Sequence, residues 1–157
     1  MIGCWRICRA RYAGGSYSGR GAADYGGRWN RPGIPVVYTS SSLSLATLEY
    51  LVNIDGKGLP SDLVVITAQI PDDIAVSRVE ARDLPVDWRS SPSPVKLKEI
   101  GEEWLRKAET AILCVPSAVI PEENNVLLNP AHPQFARVLI GKPTPFVFDP
   151  RIRGTRS

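Results

Sequence analysis

Histidine is almost absent from this chain: His132 is the only one in 157 residues. Proton transfer through imidazole therefore has a single candidate, and His132 sits in Asn129-Pro130-Ala131-His132-Pro133, where the flanking prolines make a structural turn the expected role. Cysteine is scarce and odd in number. Cys4, Cys8 and Cys114 form neither a CxxC nor a second pair, which excludes a disulfide framework and leaves a structural metal short of ligands. The thiols are expected to be reduced and metal-free. Long apolar runs are missing too: Ile2-Gly3-Cys4-Trp5 is broken at once by Arg6 and Arg9, so neither a signal peptide nor a membrane span is expected, and the chain should stay in the cytoplasm. There is no Walker or Rossmann glycine pattern, no GxSxG elbow and no internal repeat. Net charge is only +3, with the basic residues gathered in Arg6, Arg9, Arg11 and Arg20 and in the tail Arg151-Ile152-Arg153-Gly154-Thr155-Arg156. That distribution suits an anionic ligand better than a nucleic-acid groove, and no helix-turn-helix or aromatic RNA-binding motif accompanies it. A non-enzymatic binding module is thus the reading with least support.

What is present is the make-up of an ordinary globular protein, 43% hydrophobic and 22% charged, at a length suited to one domain over 1–157 with one core. Trp5-Arg6-Ile7-Cys8-Arg9 alternates as a half-buried strand does. Residues 13–27, rich in glycine and serine, read as a loop, and 34–39 as a second strand. Ser40-Ser41-Ser42 can cap a helix over 43–53, which Gly56 and Gly58 would end. The β-branched run 63–70, stopped by Pro71, predicts a buried strand, and 72–93 a proline-punctuated connection. A second helix is expected from Pro94 with Ser93 as cap; it places Leu97, Ile100, Gly101 and Trp104 on one stripe, and Lys96, Lys98, Glu99, Glu102, Glu103 and Arg106 on a solvated face. Apolar runs at 111–119, 126–129, 138–140 and 146–148 complete the set. Strands and two helices without regular βαβ alternation predict an α+β fold with mainly antiparallel sheet and flanking helices.

Four positions can carry chemistry. Arg28 lies in Gly26-Gly27-Arg28-Trp29-Asn30-Arg31-Pro32-Gly33, where its planar guanidinium offers paired donors to phosphate and the glycines let a bulky ligand approach; the alternative is a surface arginine in a turn. Glu49 falls within a helix with apolar residues almost all round, which predicts an enclosed helix. A carboxylate there needs a partner or a task, unless it stands at a rim and meets water. Tyr38 ends a strand just before that helix, so it can line the same cleft as Glu49, as a stacking ring or as core filling. Ser117 follows Leu113-Cys114-Val115-Pro116; as a nucleophile it would need His132 as base, whereas a hydrogen bond to a sugar hydroxyl or to Glu49 asks for less. Asn124, Asn125 and Asn129 serve turns or ligand amides.

Together, Gly26-Gly27-Arg28-Trp29-Asn30, Tyr38-Thr39, Ser44-Leu45-Ala46-Thr47-Leu48-Glu49, Val115-Pro116-Ser117-Ala118-Val119 and Glu123-Asn124-Asn125-Val126-Leu127-Leu128-Asn129-Pro130 resemble the RES domain family, named after an arginine, a glutamate and a serine. The resemblance implies the toxin half of a bacterial toxin–antitoxin pair with an ADP-ribosyltransferase-like core that uses NAD as substrate. It implies Arg28, Tyr38, Glu49 and Ser117 as catalytic residues, with Asn30 and Asn125 joining Arg28 and Tyr38 in binding the dinucleotide. Cleavage of the nicotinamide–ribose bond is the implied reaction, with water or inorganic phosphate as acceptor; Arg9, Arg11, Arg20 or Arg31 are available for a phosphate pocket. The alternative is ADP-ribose transfer to a protein, against which Thr47 stands where related transferases carry a second acidic residue or glutamine. An Xre-like antitoxin is the implied partner, with Arg6, Arg151 and Arg153 as candidate contacts. Trp88 and Trp104 fit either a homodimer surface or a monomer core.

Overall fold

The computed structural model describes residues 1–54 and 58–152; Gly56, expected to help end a helix, and Arg153, a candidate partner contact, lie outside them. One sheet organises the chain, built from β1 (Ile2–Arg9), β2 (Val37–Ser40), β3 (Leu63–Ile70), β4 (Val76–Arg78), β5 (Ile112–Pro116), β6 (Asn124–Leu128), β7 (Leu139–Ile140) and β8 (Thr144–Phe146). Its order is β4-β5-β6-β2-β1-β3-β7, with β8 also on β3. Only β4 and β5 run parallel; every other pairing is antiparallel. The α+β expectation holds.

Alternation along the strands sends side chains to two faces. Ile112 and Cys114 pack with Val126, Leu128, Val37, Cys4, Ile66 and Ala68 on one face. Leu113, Val115 and Leu127 face the other way, under Leu97 and Trp104 of α3 (Val95–Lys107) and against Trp29 and Trp88. Both Trp88 and Trp104 therefore belong to the core. A third cluster sets Ile7, Leu63 and Phe148 beneath Ala46 of α2 (Leu43–Val52).

The ladders are uneven, and the unevenness positions the site. β1 pairs with β3 over eight residue pairs, from Ile2 with Ile70 to Arg9 with Leu63, and β2 pairs with β6 over four. Between β1 and β2 the only registered pair is Trp5 with Ser40. The sheet is thus two ladders hinged at one point, and beyond it the strands part.

Several local expectations are corrected. Segment 13–27 is not all loop: a 3-10 helix spans Ala10–Gly15 and a short helix, α1, spans Arg20–Tyr25. Gly19 and Gly26 bound α1 at φ 76° and 74°, conformations that cost a side chain little only when it is absent. A Cβ on Gly19 would also come within 2.8 Å of the Val36 nitrogen. The second strand starts at Val37 rather than 34 and includes Ser40. Ser42 caps α2, its Oγ accepting from the Leu45 amide at 3.0 Å, but the helix is not enclosed, since Leu48 and Val52 are 39% and 60% exposed. Pro94, not Ser93, occupies the cap position of α3, with no side-chain cap bond. The connection 72–93 includes β4, and the last strand ends at Phe146, leaving Val147 exposed.

Candidate active site

A cleft of about 1590 Å³ opens where β1 and β2 part, walled by both strands, α1, the Gly26–Trp29 segment and α2. On α2, Ala46, Glu49 and Tyr50 line it at the spacing of one helical face, with Val52 and the C-cap residue Asn53 at the helix end. Six arginines and two carboxylates, Asp24 and Glu49, stand on its walls, so the cleft attracts anions. A smaller hollow of about 340 Å³ beside Ala13, Tyr17 and Ile140 has no charged lining residue.

Glu49 is half-buried and fixed through one oxygen. Its Oε1 accepts from Ser117 Oγ at 2.7 Å and from Asn125 Nδ2 at 2.6 Å. The backbone explains why these residues meet although 68 and 76 positions separate them from Glu49. β5 ends at Pro116, and the Ser117 amide bonds back to the Glu123 carbonyl at 2.9 Å. The returning β6 brings Asn125 opposite both Val115 and Ser40. Ser40 Oγ donates to Asn125 Oδ1 at 2.8 Å, which orients the amide so that its nitrogen faces Glu49. Ser117 Oγ is fully engaged: it donates its only hydrogen to Glu49 and accepts from the amides of Val119 and Ile120, each at 3.1 Å. A hydroxyl so committed orients a carboxylate; it does not act as a nucleophile. Glu49 Oε2 has no donor among the described residues.

Arg28 enters the cleft from the opposite wall. Both hydrogens of Nη1 are taken, by the Trp88 carbonyl at 2.9 Å and the Ser90 carbonyl at 3.1 Å. Nε and Nη2 keep three N–H groups without an acceptor among the described residues. Burial lowers the guanidinium pKa, with Glu49 the first of the countering charges, so arginine and carboxylate feel one another across the cleft without forming a pair. Tyr38 also lines the cleft, and its ring packs so closely on Gly27 that a Cβ there would lie 2.7 Å from the hydroxyl. Burial raises the Tyr38 pKa above the ordinary range; the neutral phenol donates to Asn30 Oδ1 at 2.7 Å and accepts from the Trp29 amide at 3.0 Å. Asn30 is wholly enclosed, and its Nδ2 donates to the carbonyls of Ala22, Arg31 and Ile34. It reaches the cleft only through Tyr38.

Other candidates fall elsewhere. Arg9, Arg11 and Arg20 line the cleft, while Arg31 turns away to Glu102, at 2.8 Å. His132 accepts from the Gln134 amide through Nδ1 at 3.1 Å and caps a 3-10 helix over Pro133–Arg137, and Asn129 Oδ1 accepts from the Ala131 amide at 3.0 Å. Both serve turns. Arg151 pairs with Asp149 at 2.9 Å on the surface.

Sequence reasoning missed Ser40, Lys98 and Arg6. Arg6 is no surface arginine: it lines the cleft and bridges the gap between strands, its Nη1 donating to the Tyr38 carbonyl at 2.8 Å. Its Nε is enclosed without an acceptor, burial pulls its pKa down, and no carboxylate pairs with it among the described residues. The signal was in the strand. Arg6 shares a face with Cys4 and Cys8, both buried, and an arginine between two buried positions has a reason to be there.

Known proteins resemble this chain in sequence over nearly its whole length, and one solved structure resembles it in fold. Over 150 residues the chain is 41% identical to "Toxin Res" of Yersinia enterocolitica, covering 95% of this chain and 98% of that one. It is 39% identical to "Prs ADP-ribosylating toxin" of Sphingobium over 152 residues, 94% of each. Among solved structures, a chain of the M. tuberculosis MbcT–MbcA toxin–antitoxin complex superposes with a TM-score of 0.74, covering 92% of this chain and 83% of that one, at 17% identity; that likeness carries the fold. The RES domain model matches residues 3–149, a span that takes in the sheet from the second residue of β1 to the end of β8 and every side chain of the cleft described above, and on that ground the chain belongs to the RES domain family.

Proposed function

We propose that this protein is the toxin of a toxin–antitoxin pair and that it cleaves the nicotinamide–ribose bond of NAD. One observation carries the reading: a carboxylate pinned through one oxygen presents the other to a cleft that also holds two arginines, Arg28 and Arg6, with unused donors. Breaking that bond sends its electron pair to the nicotinamide ring, which leaves neutral, and leaves a cationic, oxocarbenium-like sugar. No strong general acid is required, in keeping with a cleft that holds no histidine. Glu49 Oε2 stabilises the sugar cation and receives a ribose hydroxyl; such a preorganised group contributes about 3–4 kcal/mol to the transition state. Ser117, Asn125 and Ser40 prevent the carboxylate from turning away. Arg28 clamps the diphosphate with Nε and Nη2, Arg6 adds a second cation, Tyr38 flanks the nicotinamide ribose, and Asn30 holds Tyr38 in place. The acceptor attacks C1 of the ribose through oxygen: water gives ADP-ribose and loses a proton to solvent, and inorganic phosphate, attacking through an anionic oxygen, gives the 1-phosphate. The reading is tested by nicotinamide release from NAD, with and without phosphate. Wild type should release it and Glu49→Ala should lose at least a hundredfold in kcat; no release by wild type, or full activity in the variant, overturns it.

A second reading, ADP-ribose transfer to a protein, draws support from the name of the Sphingobium relative. The geometry lends it no base beside Glu49, because Thr47 Oγ1 donates to the Leu43 carbonyl at 2.8 Å. ADP-ribosylated host proteins detected by mass spectrometry after induction would favour it. For the partner, we propose an Xre-like antitoxin that obstructs the cleft, as a toxin–antitoxin pair requires; co-expression should relieve the growth arrest that the lone chain causes.

A further inference from the structure

The segment carrying Arg28 rests against α3 on the side away from the cleft. Alternate residues of that segment meet two adjacent turns of the helix, at Lys98 and at Gly101–Glu102. Lys98 Nζ donates to the Gly27 carbonyl at 2.7 Å and to Ser93 Oγ at 3.1 Å, and Ser93 Oγ donates on to the Arg28 carbonyl at 3.5 Å. Gly101 leaves room for the Trp29 backbone, whose carbonyl oxygen would collide with any Cβ there. Glu102 accepts from the Arg31 amide at 3.1 Å through Oε1 and pairs with Arg31 Nη1 at 2.8 Å through Oε2. Gly27, Trp29 and Arg31 are gripped, and Arg28, between them, is presented to the cleft. The polar face of α3 is therefore not simply solvated. Lys98 is half-buried, and its ammonium bonds to a carbonyl and a hydroxyl rather than to a carboxylate. Burial and the nearby cations Arg28 and Arg31 lower its pKa, and the Glu102 carboxylate counters them in part. An ammonium committed to the Gly27 carbonyl and the Ser93 hydroxyl is not simply a solvated charge.

We propose that Lys98 is a positioning residue for anion binding: it fixes the Gly27 and Arg28 carbonyls, directly and through Ser93, so that the free edge of the Arg28 guanidinium is held ready for a phosphoryl group. The proposal rests on the NAD reading for its ligand, but its structural half stands alone.

The test is Lys98→Met, with Lys98→Arg as rescue and Glu102→Ala as a second variant gripping the same segment. Amide hydrogen exchange over 26–31 should quicken about tenfold in Lys98→Met, with the rest of the chain unchanged, and return toward wild type in Lys98→Arg. KM for NAD should rise about tenfold while kcat stays within about threefold, since a clamp on a non-reacting part of the substrate acts on ground and transition states alike. Glu102→Ala should shift both readouts in the same direction. Unchanged exchange with a raised KM would mean that the ammonium acts only as a charge, and would overturn the proposal. So would a fall in kcat at constant KM, or failure of arginine to rescue. If wild type releases no nicotinamide, the NAD reading fails, and the exchange rates still decide whether Lys98 positions the loop.

Discussion

Replacing Asn125 by aspartate changes one atom's chemistry and little else, which makes it a sharp probe of the site. Asn125 Nδ2 lies 2.6 Å from Glu49 Oε1, so Asn125→Asp sets a second carboxyl against the first, with Ser40 still able to donate to its other oxygen. Two unit charges about 4 Å apart, in a partly exposed cleft with an effective dielectric constant near 20, repel by about 4 kcal/mol. That repulsion is equivalent to about three pKa units. The new carboxyl, ordinarily titrating near pH 4, should then keep its proton to about pH 7. Below that pH its hydroxyl donates to Glu49 as the amide did, and nicotinamide release should approach the wild-type rate. Above it the donor is gone and a like charge has replaced it, so kcat should fall by about 10²–10³ relative to wild type. Stability should follow the same sign. The native state holds a proton that the unfolded chain releases near pH 4, so unfolding free energy should decline from about pH 4 to about pH 7 and then level off. Nicotinamide release and urea midpoints, each as the ratio of variant to wild type from pH 5 to 8, provide the assay. A flat ratio, or one that rises with pH, would refute the direct bond between Asn125 and Glu49.

Two further outcomes are read by the same urea midpoints. Ser117→Ala leaves the Val119 and Ile120 amides without their acceptor as well as freeing Glu49, so urea should unfold it with a loss of roughly 1–3 kcal/mol alongside a fall in kcat; an unchanged midpoint would contradict the double acceptance. Burial pushes the Cys4 thiol up to about 11, so from about pH 9 upward the unfolded chain loses a proton that the native chain keeps, and stability declines as pH rises. The alkaline decline in urea midpoint should be shallower in Cys4→Ala than in wild type, and equal slopes would show that this thiol does not titrate differently on folding.

What could be read from the sequence was whatever announces itself locally. β3 coincides with its β-branched run, and Ser42 caps α2 where a serine triplet preceded an apolar segment. α1 gave no such sign, because six residues hold too little periodicity and its ends are set by two glycines at positive φ. At Glu49 the expected enclosure of the helix is only partly met. Its helix leaves Leu48 and Val52 exposed, so enclosure is not what demands a partner; the partners come from β6 and from the residue after β5, and no local pattern indicates that these side chains reach Glu49. Lys98 and Glu102 fail in the opposite sense. A helical wheel shows a polar face correctly, but not that a distant segment will settle on it.

The parting of β1 from β2 ties these observations together. Strands in full register would satisfy each other's backbone and leave no room for a ligand. Here Trp5 and Ser40 make the only registered pair, and beyond it a side chain, Arg6, takes the Tyr38 carbonyl that a neighbouring strand would otherwise engage. An arginine in that position closes the backbone account at one point and lines the gap, so the break in the ladder is associated with both the cavity and part of its positive charge. The carboxylate is set by the other half of the same arrangement, since Ser40, the last residue of β2, orients Asn125, which in turn holds Glu49. The cleft and one of its cations, Arg6, thus share a structural origin, while Arg28 is set separately by its contacts with α3. A substitution that extended β1–β2 pairing would narrow the cleft and take the Tyr38 carbonyl from Arg6 while leaving the contacts of Glu49 in place.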